Sequence, residues 1–326
     1  MKWSERYNGP NNSIDQPTKF LLSNSGHIYI TGKSVGLDST FDYLTIKYNS
    51  NGVQQWTARY SGLQKGNDIA NDLALDKLGN AYITGGSADT LQTYPYNGAY
   101  YTDCVTIKYD SNGLQQWNHR YIRSGAYLNG TQGHRIIVDD SSYIYALGVY
   151  SFDTGGVGSG ASTFAIKYDT HGQIKWTKVI FSGDRNISNR PTHVVVNSDK
   201  IFYAVIKQAA AGCYEYYTSA YNSNGDRLWL KFDGYSFVIY DLAIDFSTNV
   251  YVAQHGHDGS DWINQLKKYN SDGNLAWTIQ KNDQYAYMKH IAFGREANEI
   301  IVAGNLPLSY KVIKINNDVV DKNTNK

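Results

Sequence analysis

A short turn signature recurs along the chain and restricts its fold more than any other feature. Ile46-Lys47-Tyr48 leads into Asn49-Ser50-Asn51-Gly52, and Trp56 follows four residues after the glycine. Ile107-Lys108-Tyr109 runs through Asp110 and Gly113 to Trp117, and Ile166-Lys167-Tyr168 through Asp169 and Gly172 to Trp176. Looser copies join Tyr221-Asn222 to Gly225 and Trp229, and Tyr269-Asn270 to Gly273 and Trp277. Asn or Asp with Gly accepts the positive φ of a tight turn, so each copy reads as a hairpin whose return strand carries one large aromatic. A second hairpin precedes it, clearest in Asp72-Leu73-Ala74-Leu75-Asp76, a turn through Gly79-Asn80, and Ala81-Tyr82-Ile83-Thr84-Gly85. Each repeat is therefore a four-stranded meander.

Counted from Trp3, the tryptophans are spaced by 53, 61, 59, 53 and 48 residues. Four-stranded repeats of about 40–50 residues are the signature of propeller blades. The expected fold is all-β: a six-bladed β-propeller of four-stranded antiparallel blades, one domain over residues 1–326. Its blades fall near 18–60, 71–122, 134–180, 191–233, 239–281 and 288–316, the last completed by 1–7. The chain starts at the Trp3 strand, and its last strand, Lys311 to Asn316, lacks a Trp partner. The N-terminal strand is thus expected to pair with the C-terminal one and close the ring, which removes the open sheet edges. A seventh blade beyond the ends is the alternative.

Composition agrees. With 29 tyrosines and 10 phenylalanines against 2 methionines, and 30 glycines against 5 prolines, the core is built from β-formers joined by glycine turns. A net charge of +1 gives no field to concentrate a polyanion, which argues against nucleic acid as a partner. No stretch approaches the roughly 18 apolar residues of a membrane helix, and Met1-Lys2-Trp3 lacks the apolar core of a signal peptide. A monomer without membrane insertion is expected. Cys104 and Cys213 fall in non-neighbouring repeats and read as free, buried thiols.

The turn signature, with the preceding Gly79-Asn80-Ala81-Tyr82-Ile83-Thr84-Gly85 strand, resembles the bacterial SBBP-type β-propeller repeat. Residues 42–56 and 68–86 carry the resemblance best. It implies an exported or cell-surface protein with no assigned catalytic residues, and its name implies seven blades, from which the count of six departs. The turn followed by Trp is also similar, more weakly, to propellers with a Trp-docking repeat, which include quinone-cofactor dehydrogenases and an outer-membrane assembly scaffold.

Two residue sets are candidates for function. Aligning the inner strands on their turns brings Lys19, Asp72, Arg135, His193, Asp241 and His290 to one equivalent position, all ionisable. Such a ring suits a charged channel mouth with interacting titrations, or an inter-blade salt-bridge network. The second set lies in the expected long loops: Tyr94 and Tyr96 in 86–101, Tyr127 in 121–133, and His255, His257 and Trp262 in 254–262. An aromatic with nearby carboxylates suits a sugar ring or a peptide anchor, although loop tyrosines also simply pack on one another. His255-Gly256-His257-Asp258 has no fixed ligand geometry, so no metal is expected. Without GxSxG, P-loop or dinucleotide motifs, no cofactor is expected either. Asp76, Asp139 and Asp245 precede hairpin turns and read as backbone caps. The leading functional expectation is a non-enzymatic binding or scaffolding protein presenting its loop-rich face to a protein or carbohydrate. The alternative is a hydrolase or lyase with His193 or His290 as acid or base and Asp72 or Asp241 as partner.

Overall fold

The computed structural model of the chain describes residues 3–10, 12–62, 66–90, 101–122, 128–153, 159–182, 187–197, 202–210, 213–235, 237–257, 260–282, 287–294, 299–306 and 309–316. Among the described residues it is all-β, with 23 strands and no helix. Contacts divide the chain into two compact units, Met1–Arg190 and Pro191–Lys326.

The first unit holds three antiparallel meanders. The first is β1 (Asp15–Leu22), β2 (Ile28–Val35), β3 (Phe41–Tyr48) and β4 (Gln54–Tyr60). The second is β5 (Asp68–Leu75), β6 (Ala81–Thr90), β7 (Tyr101–Tyr109) and β8 (Gln115–Tyr121). The third is β9 (Leu128–Val138), β10 (Ile144–Asp153), β11 (Ser159–Tyr168) and β12 (Ile174–Phe181). The second unit takes up β13 (Ile187–Val196), whose first residues belong to the first unit, and continues with β14 (Phe202–Ala210), β15 (Cys213–Tyr221) and β16 (Arg227–Tyr235). There follow β17 (Phe237–Ile244), β18 (Val250–His257), β19 (Trp262–Tyr269) and β20 (Leu275–Asn282), then a three-stranded sheet of β21 (Tyr287–Phe293), β22 (Glu299–Leu306) and β23 (Ser309–Asn316). No ladder includes residues 3–9 among the described residues, so the strand expected at Trp3 is not formed as such.

Within each unit the core lies between the faces of successive sheets. Tyr29 and Tyr43 of the first meander pack on Leu73, Ile83 and Ile107 of the second, and Tyr82 and Cys104 of the second on Ile136 and Phe164 of the third. In the second unit Trp229 packs with Ile239, Val250 and Tyr269, and Trp277 with Tyr251, Met288 and Val302. Each fully buried tyrosine removes a large apolar ring from water, which is why a chain with two methionines can still build a core.

In three of the meanders the repeated Trp fastens the sheet to the turn of the next. Trp56 Nε1 donates to Ser111 O at 3.1 Å, Trp117 Nε1 to Thr170 O at 3.1 Å and Trp229 Nε1 to Ser271 O at 2.9 Å. Trp3 does the same to Ser50 O at 3.1 Å. Two residues beyond each acceptor stands the turn glycine, at φ +82° for Gly52, +84° for Gly113, +82° for Gly172 and +79° for Gly273. A Cβ on Gly113 would lie 2.6 Å from the Trp56 ring. Gly113→Ala is therefore expected to cost about 1–3 kcal/mol in thermal or urea unfolding. Gly26→Ala, at φ +79° but with its nearest neighbour 3.5 Å away, should cost less because only the backbone is strained.

The aspartates before the inner hairpin turns are caps. Asp76 Oδ1 accepts the Leu78 and Asn80 amides at 3.0 and 2.9 Å, while its Oδ2 accepts Tyr82 OH at 3.1 Å. Asp139 holds Tyr145 OH at 3.1 Å and Asp245 holds Tyr251 OH at 2.9 Å. The first meander has Ser23 in place of the aspartate, and there the Tyr29 hydroxyl donates instead to Gly79 O of the next meander at 2.9 Å. Cys104 is buried and free, its thiol pushed up to about 12 by burial.

Candidate functional site

The inner strands carry the first candidate set, and a β-bulge marks its place. Pairing slips by one residue between Pro17 and Lys19, Ala70 and Asp72, Ile239 and Asp241, and Met288 and His290. The slip in β9 falls at His134, immediately before Arg135. In each case the aligned ionisable residue is the one that follows the extra residue, so these positions are equivalent in register. A bulge re-aims its side chains, and here the re-aimed groups tie adjacent sheets together. Thr18 Oγ1 donates to Ala70 O at 2.8 Å, and Asn71 Nδ2 to Gly133 O at 2.7 Å. Asp72 Oδ2 accepts Ile136 N–H at 2.9 Å, and Asp241 Oδ2 accepts Ile291 N–H at 2.7 Å.

Lys19 Nζ lies 3.9 Å from Asp72, and His290 Nδ1 lies 4.0 Å from Asp241. Burial pushes the Asp72 carboxyl up, while the Ile136 amide, Lys19 and Arg135 pull it back. His193 is half-buried in β13. In the first unit this brings Lys19, Asp72 and Arg135 into one electrostatic group, and in the second it pairs Asp241 with His290.

His134 itself was not a candidate from sequence. Burial, with Arg190 and Arg135 adding to it, lowers the imidazole from 6.5 to about 4. In the unfolded chain it takes its proton near pH 6.5, so the stability present above that pH is lost as pH falls toward the folded value. The expected loss between about pH 6.5 and 4 is at most roughly 3 kcal/mol. Urea denaturation across that range should show a slope that His134→Gln flattens.

A second network, at the ends of the outer strands, repeats in the first two meanders. Arg59 donates through Nη1 to Asp42 Oδ2 at 2.7 Å and through Nη2 to Ser34 Oγ at 2.7 Å and Tyr7 OH at 3.3 Å. Arg120 reaches Asp103 Oδ2, Ser87 Oγ and Tyr60 OH, each at 3.0 Å. The planar guanidinium meets several oxygens at once, which a lysine could not do. Behind Arg120, Asp68 is fully buried and accepts Gly62 N–H at 2.6 Å, its carboxyl raised chiefly by burial. In the second unit Asp233 takes Tyr269 OH at 2.6 Å and Thr218 Oγ1 at 2.5 Å, with Lys267 Nζ at 3.6 Å. These groups bond chiefly to one another across strands, which makes them fasteners between strands, although Asp42 Oδ1 and Asp68 Oδ1 are buried without a hydrogen-bond partner among the described residues.

The aromatic set has a different character. Strands extend into the stretches expected as long loops: β6 runs to Thr90, β7 starts at Tyr101, β9 starts at Leu128, β18 runs to His257 and β19 starts at Trp262. Cross-strand pairing had been underestimated because polar and glycine residues continue these ladders. Tyr94, Tyr96 and Tyr127 lie outside the described residues.

His255, His257 and Trp262 do come together. The register sets His257 opposite Trp262 and His255 opposite Asn264, so all four share one face of the β18–β19 hairpin. The His255 and Trp262 rings stack at 5.1 Å and 10°, and His257 meets the indole edge-on at 5.5 Å and 87°. His255 Nδ1 lies 3.1 Å from Asn264 Oδ1, and since that oxygen only accepts, Nδ1 carries the proton. Burial holds this imidazole below the usual histidine range, partly offset by Asn264 and the Ile263 backbone. It therefore backs the indole as a neutral ring at pH 7. His255 is 3% exposed and Trp262 is 48% exposed, against 8% for Trp229 and 3% for Trp277.

Meanders with an ordered repeat of fasteners, together with an exposed aromatic at the turn between second and third strands, define a propeller-like all-β repeat protein. No protein-family model matches the chain, and no curated protein matches it. Solved structures do. A polysaccharide lyase described as a PL25 ulvan lyase is similar at 12% identity and a TM-score of 0.56, over 92% of this chain and 78% of that one. A protein of unknown function from Dyadobacter fermentans is similar at 11% identity and 0.54, over 91% and 92%. Polysaccharide lyase Uly1 is similar at 9% identity and 0.54, over 95% and 83%. At these identities the likeness shows the fold alone. Among the described residues no group of His, Cys, Asp and Glu is arranged to hold a metal ion, and no helix is long and apolar enough to cross a membrane.

Proposed function

We propose that the chain is a six-bladed propeller, closed by its N-terminal segment, that serves as a binding or scaffolding protein. Three observations support closure. Trp3 engages Ser50 and Gly52 as Trp56, Trp117 and Trp229 each engage the next turn. Among the described residues the last sheet has three strands, β21 to β23, and none that would carry a Trp, whereas β1–β4, β5–β8 and β17–β20 each form a four-stranded sheet. Phe20 is 71% exposed, whereas its counterparts Leu73, Ile136 and Leu242 are 2%, 4% and 4% exposed against the preceding meander. A sheet seated before β1 would cover it. In the closed ring the six aligned residues Lys19, Asp72, Arg135, His193, Asp241 and His290 line the axis.

The observation that carries the binding role is the half-exposed Trp262 ring. The tryptophans that follow the turns hold sheets together, whereas Trp262 stands outside their position, is backed by His255, and exposes apolar surface that a binding role would explain. We take the partner to be a protein or carbohydrate met at or outside the cell surface, in keeping with blades of the SBBP type. The hydrolase or lyase reading would rest on His290 beside Asp241, but both Asp241 oxygens are engaged by backbone amides, Leu242 N–H at 2.9 Å and Ile291 N–H at 2.7 Å. The test is a surface-binding assay of envelope glycans and proteins on the chain and its variants. Trp262→Ala and His257→Ala should lose the interaction, and Leu78→Ala, on the exposed β5–β6 turn of the first unit, should keep it. Binding untouched by the first two, or turnover of the bound molecule, would contradict the proposal.

A further inference from the structure

Resting on that binding role, we propose that Trp262 is the stacking subsite for a pyranose ring, so that the ligand is a carbohydrate rather than a peptide. The argument begins with the shape of the platform. One face of the indole is taken by His255, stacked at 5.1 Å, and one edge by His257 at 5.5 Å. The 48% of Trp262 that remains exposed is therefore mainly its opposite face. That face is flat and fixed: the residue opens β19, its register partner is His257, and its backing imidazole is tied to Asn264 at 3.1 Å. Little conformational freedom is left to lose on binding.

A flat, rigid indole with a negative π face matches the C–H-bearing face of a pyranose, which carries the positive edge of its C–H bonds. The equatorial hydroxyls of such a ring project outward, to where ionisable and polar side chains stand: His257, Asp261 and Ser260 flank Trp262 in sequence and are half-buried or exposed. A peptide anchor works the other way round, by inserting its own aromatic or aliphatic side chain into a hollow. A convex indole on a strand offers a ledge instead.

The repeat supplies an internal comparison. Phe41 opens β3 opposite Val35, the same register place that Trp262 holds opposite His257. There the Lys33 ammonium sits 4.4 Å above the phenyl ring, and Phe41 is half-buried. The aromatic at this place is thus a recurring option of the blade, backed by the residue two before the turn. In the fifth meander a larger ring and a neutral backing group leave an uncharged, open platform. A cation-backed ring would favour an anionic partner; a neutral one favours a neutral sugar face.

The experiment is a glycan array of β-glucan, mannan, xylan, chitin and uronate oligosaccharides, with hits followed by isothermal titration on the wild-type chain, Trp262→Ala and Trp262→Phe. At least one oligosaccharide should bind, Trp262→Ala should weaken it at least about tenfold, and Trp262→Phe should retain most of the affinity. The melting temperature of both variants should match the wild type, which separates a lost subsite from a damaged fold. An oligosaccharide bound equally well by Trp262→Ala overturns the subsite. No binding to any glycan of the array overturns the carbohydrate assignment; if a peptide library is then retained through Trp262, the binding face stands with a different ligand.

Discussion

Asp233→Ala is expected to destabilise the second unit by about 3–5 kcal/mol, the cost of leaving one member of a buried ion pair uncompensated. Asp233 is 4% exposed, and its carboxylate and carbonyl gather four side chains. Tyr269 OH donates to Oδ1, Thr218 Oγ1 to Oδ2, Lys267 Nζ to the carbonyl at 2.9 Å, and Gln254 Nε2 to the same carbonyl at 3.3 Å. Burial pushes the Asp233 carboxyl up and the Lys267 ammonium down, and each is the strongest influence pulling the other back. Removing the carboxylate leaves the ammonium desolvated with only a carbonyl beside it. The double variant Asp233→Leu with Lys267→Met should recover part of the loss, because the desolvated ammonium goes with its partner while the Tyr269 hydroxyl and Thr218 Oγ1 still lose their acceptor. Urea denaturation of the wild type and these two variants checks both statements.

Trp229→Ala should cost a similar amount, about 3–5 kcal/mol, by opening a cavity at the join between two meanders. The indole is 8% exposed, donates to Ser271 O at 2.9 Å and faces the Tyr269 ring at 6.1 Å. It also covers Gly273, where any Cβ would meet it at 2.6 Å, so nothing on the turn side can move in to fill the space. Trp229→Phe keeps much of the ring contact and loses the hydrogen bond, and should fall between. Trp262→Ala, by contrast, should leave stability within about 0.5 kcal/mol, as expected for an exposed side chain. A thermal melt of these variants side by side sets the structural Trp229 apart from Trp262.

The meander repeat was legible because its turn needs Gly at positive φ and its Trp needs that same Gly to be bare; two constraints on one short segment leave a strong mark. The aligned inner-strand residues were legible for a related reason, since the bulge that re-aims them sits at a fixed distance from the turn. Their clasping contacts were not, because Asp72 and Asp241 bond to backbone amides, which carry no sequence signal. The Arg59 and Arg120 forks were missed although a signal existed: each follows its Trp by three residues, and Asp42 and Asp103 each precede that Trp by fourteen. The copies stop after the second meander, so the pattern looks like ordinary surface charge until the fold brings three strands together. Asp233 with Lys267, and His134 with Arg190, join different repeats and left no local trace. For the aromatic platform, reading 254–262 as loop found the right residues and the wrong backbone. Only the ladder reveals why His255 backs the indole.

The proposed closure of the ring by the chain's N-terminal segment would create the axis, and a disulfide trap tests it directly. Lys47 stands opposite Trp56 and Thr45 opposite Ala58; Lys108 stands opposite Trp117 and Thr106 opposite His119. In β23 the equivalent lysine is Lys314, paired to Ile301 as Lys47 is to Tyr29. In the proposed closed ring the same register would set Trp3 opposite Lys314 and Glu5 opposite Val312; Glu5 and Val312 are both exposed. Six-blade closure predicts that Glu5→Cys with Val312→Cys forms an intrachain disulfide under mild oxidation, seen as a linked peptide by mass spectrometry, and raises the melting temperature over its reduced form. A pair that stays reduced in the folded protein, or that links only between chains, would contradict it.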